Sequence, residues 1–260
     1  MKLLVTIGLD ADLVQKLRGV LDARLVAYAS PPSLHSIDGR VHVESATVAG
    51  RWLQPDGVIY YGYFEEAAAV RRSLALGDIP TFPDVRATIA LDDRALALIA
   101  ALRVDERGPG RGYLPQATEL AVRERQVLKW GNRHCGDDKG LVEGAIVAEH
   151  DSIVEPFVVG RSERILIVGE RTWHLRYESD DWRKNVRANV TTIDPEPRLV
   201  ARARQTAARL GLDVAGVDYV VGDDGAVLLE VNAYPGLEDL PDAAEAFVAC
   251  ATQWWERIAC

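Results

Sequence analysis

The chain has 260 residues, of which 48% are apolar and 27% charged, and a formal net charge of −9. These values belong to a globular protein with room for one or two cores, and exclude a disordered, collagen-like or coiled-coil chain. The acidic balance excludes a general nucleic-acid coat but not a local basic pocket. Only five of the thirty basic residues are lysine, and three of these, Lys129, Lys139 and Lys184, fall in one window. Cys135, Cys250 and Cys260 lack a CxxC spacing, so neither a disulfide framework nor a structural zinc site is expected, and a reducing cytoplasm is. The apolar run at the N-terminus is too short for a signal peptide, and no segment approaches the ~20 apolar residues of a membrane span.

In chain order, Leu3 to Ile7 reads as a buried strand. Asp10 caps a helix whose Leu13, Val14, Leu17 and Leu21 form one stripe. A strand is expected over 25–29, a loop over 31–44, a strand over 58–61, a helix over 64–75 and a strand over 79–82. This alternation predicts a small α/β domain over residues 1–85, with no GxGxxG after its first strand. The tyrosines at 60, 61 and 63 fit either packing or a pocket lining. Residues 86–102 are strongly helical, and Arg107 to Tyr113 is a glycine-rich stretch without the Lys-Ser/Thr ending of a phosphate loop. Beyond 126 the pattern is strand-rich, at 126–130, 153–159, 164–168, 171–177, 216–222 and 226–232. Helices are expected over 196–210 and 241–258; the tryptophans at 254 and 255 read as packing residues.

The chemistry concentrates in Gly216 to Asn232. Asp223-Asp224-Gly225 suits a three-residue hairpin loop, with Gly222 paired to Ala226. Counting back sets Asp218 opposite Glu230, with Asn232 on the same face and Val217, Tyr219, Val221, Val227, Leu229 and Val231 on the other. Facing carboxylates destabilise a ladder. These hard oxygen donors suit Mg²⁺, which usually keeps waters and substrate phosphates as its remaining ligands. A solvated acidic face is the alternative.

The run GlyLeuAspValAlaGlyValAsp at 211–218, followed by LeuLeuGluValAsnAlaTyrProGlyLeuGlu at 228–238, resembles the C-terminal signature of ATP-grasp ligases, closest to the RimK-like glutamate-ligase branch. The resemblance covers about residues 90–258. It implies an N-terminal α/β domain (1–85), a small ATP-grasp lobe (86–152) and a large lobe (153–260) clamping ATP. It also implies that Asp218, Glu230 and Asn232 hold magnesium, with two ions expected and Mn²⁺ a substitute. By the same resemblance Lys129 contacts ATP phosphate, Glu155 and Phe157 lie at the adenine hinge, and Glu163 is the nearest acid for the ribose hydroxyls, offset by one position. Asp181-Trp-Arg-Lys-Asn185 is similar to the Arg-x-Asn segment beside the transferred phosphate, which assigns Arg183 and Asn185 to catalysis. Arg176 is a candidate for the substrate carboxylate by position alone.

Two departures stand out. Asp92-Asp93-Arg94 replaces the family's Asp-Lys, so Arg94 takes the phosphate role with a different geometry. The stretch 131–140 is longer and more polar than the family's glycine-rich loop; its backbone amides, helped by Arg133, His134 or Lys139, are expected to cover the triphosphate. Lys129, Lys139 and Lys184 lie where the ATP polyphosphate is expected to bind, and His134 beside Cys135 also fits a nucleophile–base pair. The implied activity is ATP-dependent carboxylate–amine ligation through an acyl phosphate, releasing ADP and phosphate, on small-molecule or peptide substrates. Neither nucleic acid nor membrane is expected as a partner, and a homodimer is the default assembly. A small-molecule kinase on the same fold and a degenerate nucleotide-binding protein are the alternatives.

Overall fold

Short apolar runs alternating with helices build the N-terminal part. The computed structural model describes residues 1–62, 64, 68–77, 79–91, 93–104, 109–131, 138–183, 186–237 and 240–259. The first elements are β1 (Leu3–Ile7), α1 (Ala11–Val20), β2 (Arg24–Tyr28), β3 (Leu34–Ile37), β4 (Arg40–Glu44), β5 (Trp52–Leu53), β6 (Gly57–Tyr60), α2 (Ala68–Leu76) and β7 (Thr81–Phe82). Asp10 caps α1, its carboxylate accepting from Leu13 N at 2.7 Å. Parallel strands in the order β2-β1-β6-β7 form the first sheet. The expected loop at 31–44 is instead a hairpin, β3–β4, extended by β5. Its turn is Asp38-Gly39, both with positive φ, an Asp-Gly hairpin signal that the polar strands around it obscured.

The helix expected over 86–102 is broken. Asp84 caps α3 (Val85–Thr88), a 3₁₀ turn covers Ile89–Leu91, and α4 (Arg94–Val104) starts anew, with Asp93 accepting from Leu96 N at 2.9 Å. Next come β8 (Gly112–Leu114), β9 (Glu119–Trp130), β10 (Lys139–Val147) and β11 (Ser152–Pro156), which form an antiparallel sheet ordered β10-β9-β11-β8. Strand β9 is longer than its expected apolar core, and β10 was unanticipated; both carry charged or exposed residues that mask the alternation. Strand β11 pairs with β8 and β9, so this sheet extends to Pro156.

The last sheet contains β12 (Arg161–Val168), β13 (Arg171–Glu178), β14 (Asn189–Ile193), β15 (Val214–Gly222) and β16 (Gly225–Asn232), in the order β14-β13-β12-β15-β16. Helix α5 (Pro197–Arg209) covers one face through Leu199, Ala203 and Ala207. Helix α6 (Pro241–Ala259) packs one end of the other face. Phe247, Trp254 and Trp255 of α6 share one core with Leu166, Val168 and Val214 of this sheet and with Leu4, Leu13, Ile59 and Phe82 of the N-terminal part. Tyr60 and Tyr61 are buried; they pack, with Tyr61 donating to the Pro235 carbonyl. Tyr63 lies outside the described residues. Among the described residues no helix is long and apolar enough to cross a membrane.

A candidate nucleotide and metal cleft

The hairpin β15–β16 places two carboxylates and an amide on one face. Its turn is tighter than expected: Gly222 pairs with Gly225, and Tyr219 with Leu228. A one-residue bulge at Leu229 then shifts the register so that Asp218 does face Glu230. The expected pairing is therefore reached by another route, and the core face carries Leu228 rather than Leu229. Leu229 instead lines the cleft with Glu230.

Asn232 Nδ2 donates to Asp218 Oδ2 at 3.0 Å. Arg164 on β12 forks onto Asp218, Nε to Oδ1 at 2.5 Å and Nη2 to Oδ2 at 2.8 Å. Burial raises the Asp218 pKa, Arg164 opposes this, and Glu230 adds to it. Burial also disfavours charge on Arg164, but Asp218 more than offsets this and holds the guanidinium firmly protonated. Two carboxylates and an amide oxygen within one half-buried patch are a donor set that fits Mg²⁺, with Arg164 supplying the compensating charge on Asp218.

Across the cleft, Lys129 and Lys139 are direct neighbours on β9 and β10. Lys129 is buried, and its Nζ lies against Glu155. Burial lowers its pKa, while Glu155 and Glu230 act to keep it charged. Lys139 Nζ lies 3.9 Å from Glu230 Oε2. Phe157, Tyr177, Trp182 and Arg183 complete the lining, with Phe157 and Trp182 edge to face at 6.4 Å. Arg183 is oriented by a fork onto Asp181, with contacts of 2.9 and 2.7 Å.

Of the other sequence candidates, Glu155 lines the same cleft, while Glu163, Arg176 and Arg94 do not. The side chain of Glu155 is engaged by Lys129 and Arg111. Glu163 points to the α5 face, because the offset of one residue on a strand reverses its side. There it binds His174 at 2.9 Å and Arg176 at 3.2 Å, while Ser162 takes the cleft side. The Glu196 N–H donates to His174 Nδ1, so Nε2 carries the proton that Glu163 accepts. Arg176 shares this far face and is not brought to Asp218 and Glu230. Arg94 donates through Nη1 to the carbonyls of Trp130, at 2.7 Å, and Asp138, at 3.1 Å, at the two ends of the 131–138 stretch. Lys184, Asn185, Arg133, His134 and Cys135 lie outside the described residues. Sequence reasoning missed Arg164 and Arg111: the first needs the β12–β15 register, and the second lies in a glycine-rich stretch without a phosphate-loop ending.

Two lobes clamping a basic and acidic cleft are the ATP-grasp arrangement, and solved structures share it. A RimK-domain ATP-grasp protein from Sphaerobacter thermophilus superposes with a TM-score of 0.67 at 18% identity, covering 96% of this chain and 98% of that one. A RiPP-associated ATP-grasp ligase from Chryseobacterium gregarium, solved with ADP and a leader and core peptide, gives 0.65 at 13%, covering 99% and 97%. The RimK-like ATP-grasp domain model matches residues 151–250. A probable alpha-L-glutamate ligase of Citrobacter koseri and a ribosomal protein bS6–L-glutamate ligase of Salmonella paratyphi B are each 30% identical, covering 78% of this chain and 74% of theirs. The chain belongs to the RimK-like ATP-grasp family. It is an ATP-dependent, ADP-forming ligase of the amide-bond-forming class.

Proposed function

We propose that the protein joins the carboxylate of an amino acid or peptide to an amine through an acyl phosphate, with Mg-ATP in the cleft. The observation that carries this reading is the meeting of Lys129 and Lys139 with Asp218, Glu230 and Asn232 across one cleft. Magnesium held by Asp218, Glu230 and Asn232 would neutralise charge on the ATP phosphates. Lys129 and Lys139 bind those phosphates from the opposite sheet. The substrate carboxylate attacks the γ-phosphorus, the bond to ADP breaks, and the amine then displaces phosphate to leave the amide. Arg183, held by Asp181, stabilises the charge on the transferring group in a partly dry site. Phe157 and Trp182 provide apolar surface at the adenine end, and Ser162 replaces Glu163 as the side chain facing the ribose.

A peptide or protein as one substrate is supported by relatives named for ribosomal protein modification and by a similar fold solved with a peptide. The dependence on ATP and the few cysteines support a cytoplasmic setting. The test is an ADP-release screen over amino-acid and peptide acids, each paired with amines. Phosphate should appear only when both acid and amine are present. A phosphorylated product stable to hydroxylamine would instead establish a kinase.

A further inference from the structure

Arg111 lies just ahead of β8, with its side chain 1% exposed, and its guanidinium reaches three elements. Nε donates to Glu155 Oε2 on β11 at 2.7 Å, and Nη1 to the Leu98 carbonyl of α4 at 2.9 Å. Nη2 donates to the carbonyls of Leu229, at 2.5 Å, and Leu228, at 3.4 Å. The other oxygen of Glu155 holds Lys129. One buried fork therefore connects the phosphate-side lysine to the two residues immediately before Glu230.

The second connection falls on the bulge. A bulge leaves its extra residue outside the ladder, and here Arg111 takes up the carbonyls at that point. Were the bulge to slip out, Leu229 would move opposite Asp218, and Glu230 would turn to the α5 face. We propose that Arg111 is a positioning residue that pins this bulge and the Glu155–Lys129 pair, so that the metal carboxylates and the phosphate lysine form one frame. The inference rests on reading the cleft as an Mg-nucleotide site. A lysine could meet Glu155 but lacks the planar fork needed to serve the carbonyls as well.

The experiment is calorimetric titration of the full chain with ADP, in EDTA and in Mg²⁺, for wild type, Arg111→Lys, Arg111→Met and Glu230→Gln, with unfolding temperatures measured in parallel. In wild type, Mg²⁺ should tighten ADP binding. Arg111→Met should weaken binding in EDTA and reduce the Mg²⁺ enhancement by about 10–100-fold, the range for groups that orient metal ligands. Arg111→Lys should recover binding in EDTA but not the enhancement. Combining Arg111→Met with Glu230→Gln should cost no more of the enhancement than Glu230→Gln alone, because the two act through one carboxylate. Full enhancement in either Arg111 variant, or additive losses in the double variant, overturns the proposal. Should Arg111→Met fail to fold, the lysine variant decides the matter. Absence of Mg²⁺-dependent ADP binding in wild type overturns the cleft reading itself, and the proposal with it.

Discussion

At the residue scale, Glu230 and Asp218 face each other, and Arg164 offsets part of their repulsion. Glu230→Gln removes one negative charge and leaves the Arg164–Asp218 fork in place. ADP release should fall at least about 100-fold, while the thermal unfolding midpoint stays close to wild type; near-normal turnover would contradict the metal assignment. Asp181 gives a pH-dependent prediction. Hydrogen bonds from the Arg183 side chain and backbone N–H lower its pKa to about 2. Since this carboxyl is depressed in the folded state, its contribution is complete above the unfolded value of about 3.9 and is lost as pH falls through about 2. Carbon-13 NMR of the Asp181 carboxyl should show that low midpoint, and Arg183→Ala should move it upward toward about 3.9. An unmoved midpoint would mean that the fork does not persist in solution.

At the element scale, turns decide how the sheets meet the helices. Gly169 ends β12 with φ +55, and a Cβ there would lie 2.5 Å from Cys250 Sγ on α6. Gly169→Ala should destabilise the chain by about 1–3 kcal/mol through a strained backbone and overpacking, measured by chemical denaturation. Adding Cys250→Ala should recover the steric part; no recovery would place the cost in the backbone alone. Strands with an apolar face, such as β1 and β15, were legible, and so was the α5 stripe. Strands β10 and β14 were not, since exposed side chains erase the period-two signal. Within the site, the facing of Asp218 and Glu230 follows from counting along the hairpin only by coincidence, since the regular register expected there is replaced by a tighter turn and a bulge. Glu163 was misplaced because on a strand one position decides the face. The bulge at Leu229 and the contacts of Arg111 depend on tertiary geometry, which no local spacing encodes.

At the scale of the whole molecule, α6 makes the N-terminal sheet and the last sheet share one core. Trp254→Ala should therefore cost about 3–5 kcal/mol, as expected for a large buried aromatic. Calorimetry should show one transition rather than a selective loss of the N-terminal part. A chain lacking residues 1–85 would expose Phe247 and Trp254 and should aggregate, as light scattering would report. A soluble, monomeric fragment with an intact ATP site would show that the two parts are separable. The stretch just after β16 ties into the N-terminal part as well. Tyr61 donates to the Pro235 carbonyl, and Tyr234 donates to Thr88 at 3.0 Å, only two residues beyond Asn232. This stretch is a seam that ties the end of β16 to the N-terminal part and to α3. Anyone grafting a new N-terminal part onto this chain would need to rebuild that seam, because a donor design lacking partners for Tyr234 and Pro235 would disturb the neighbouring Asn232 as well.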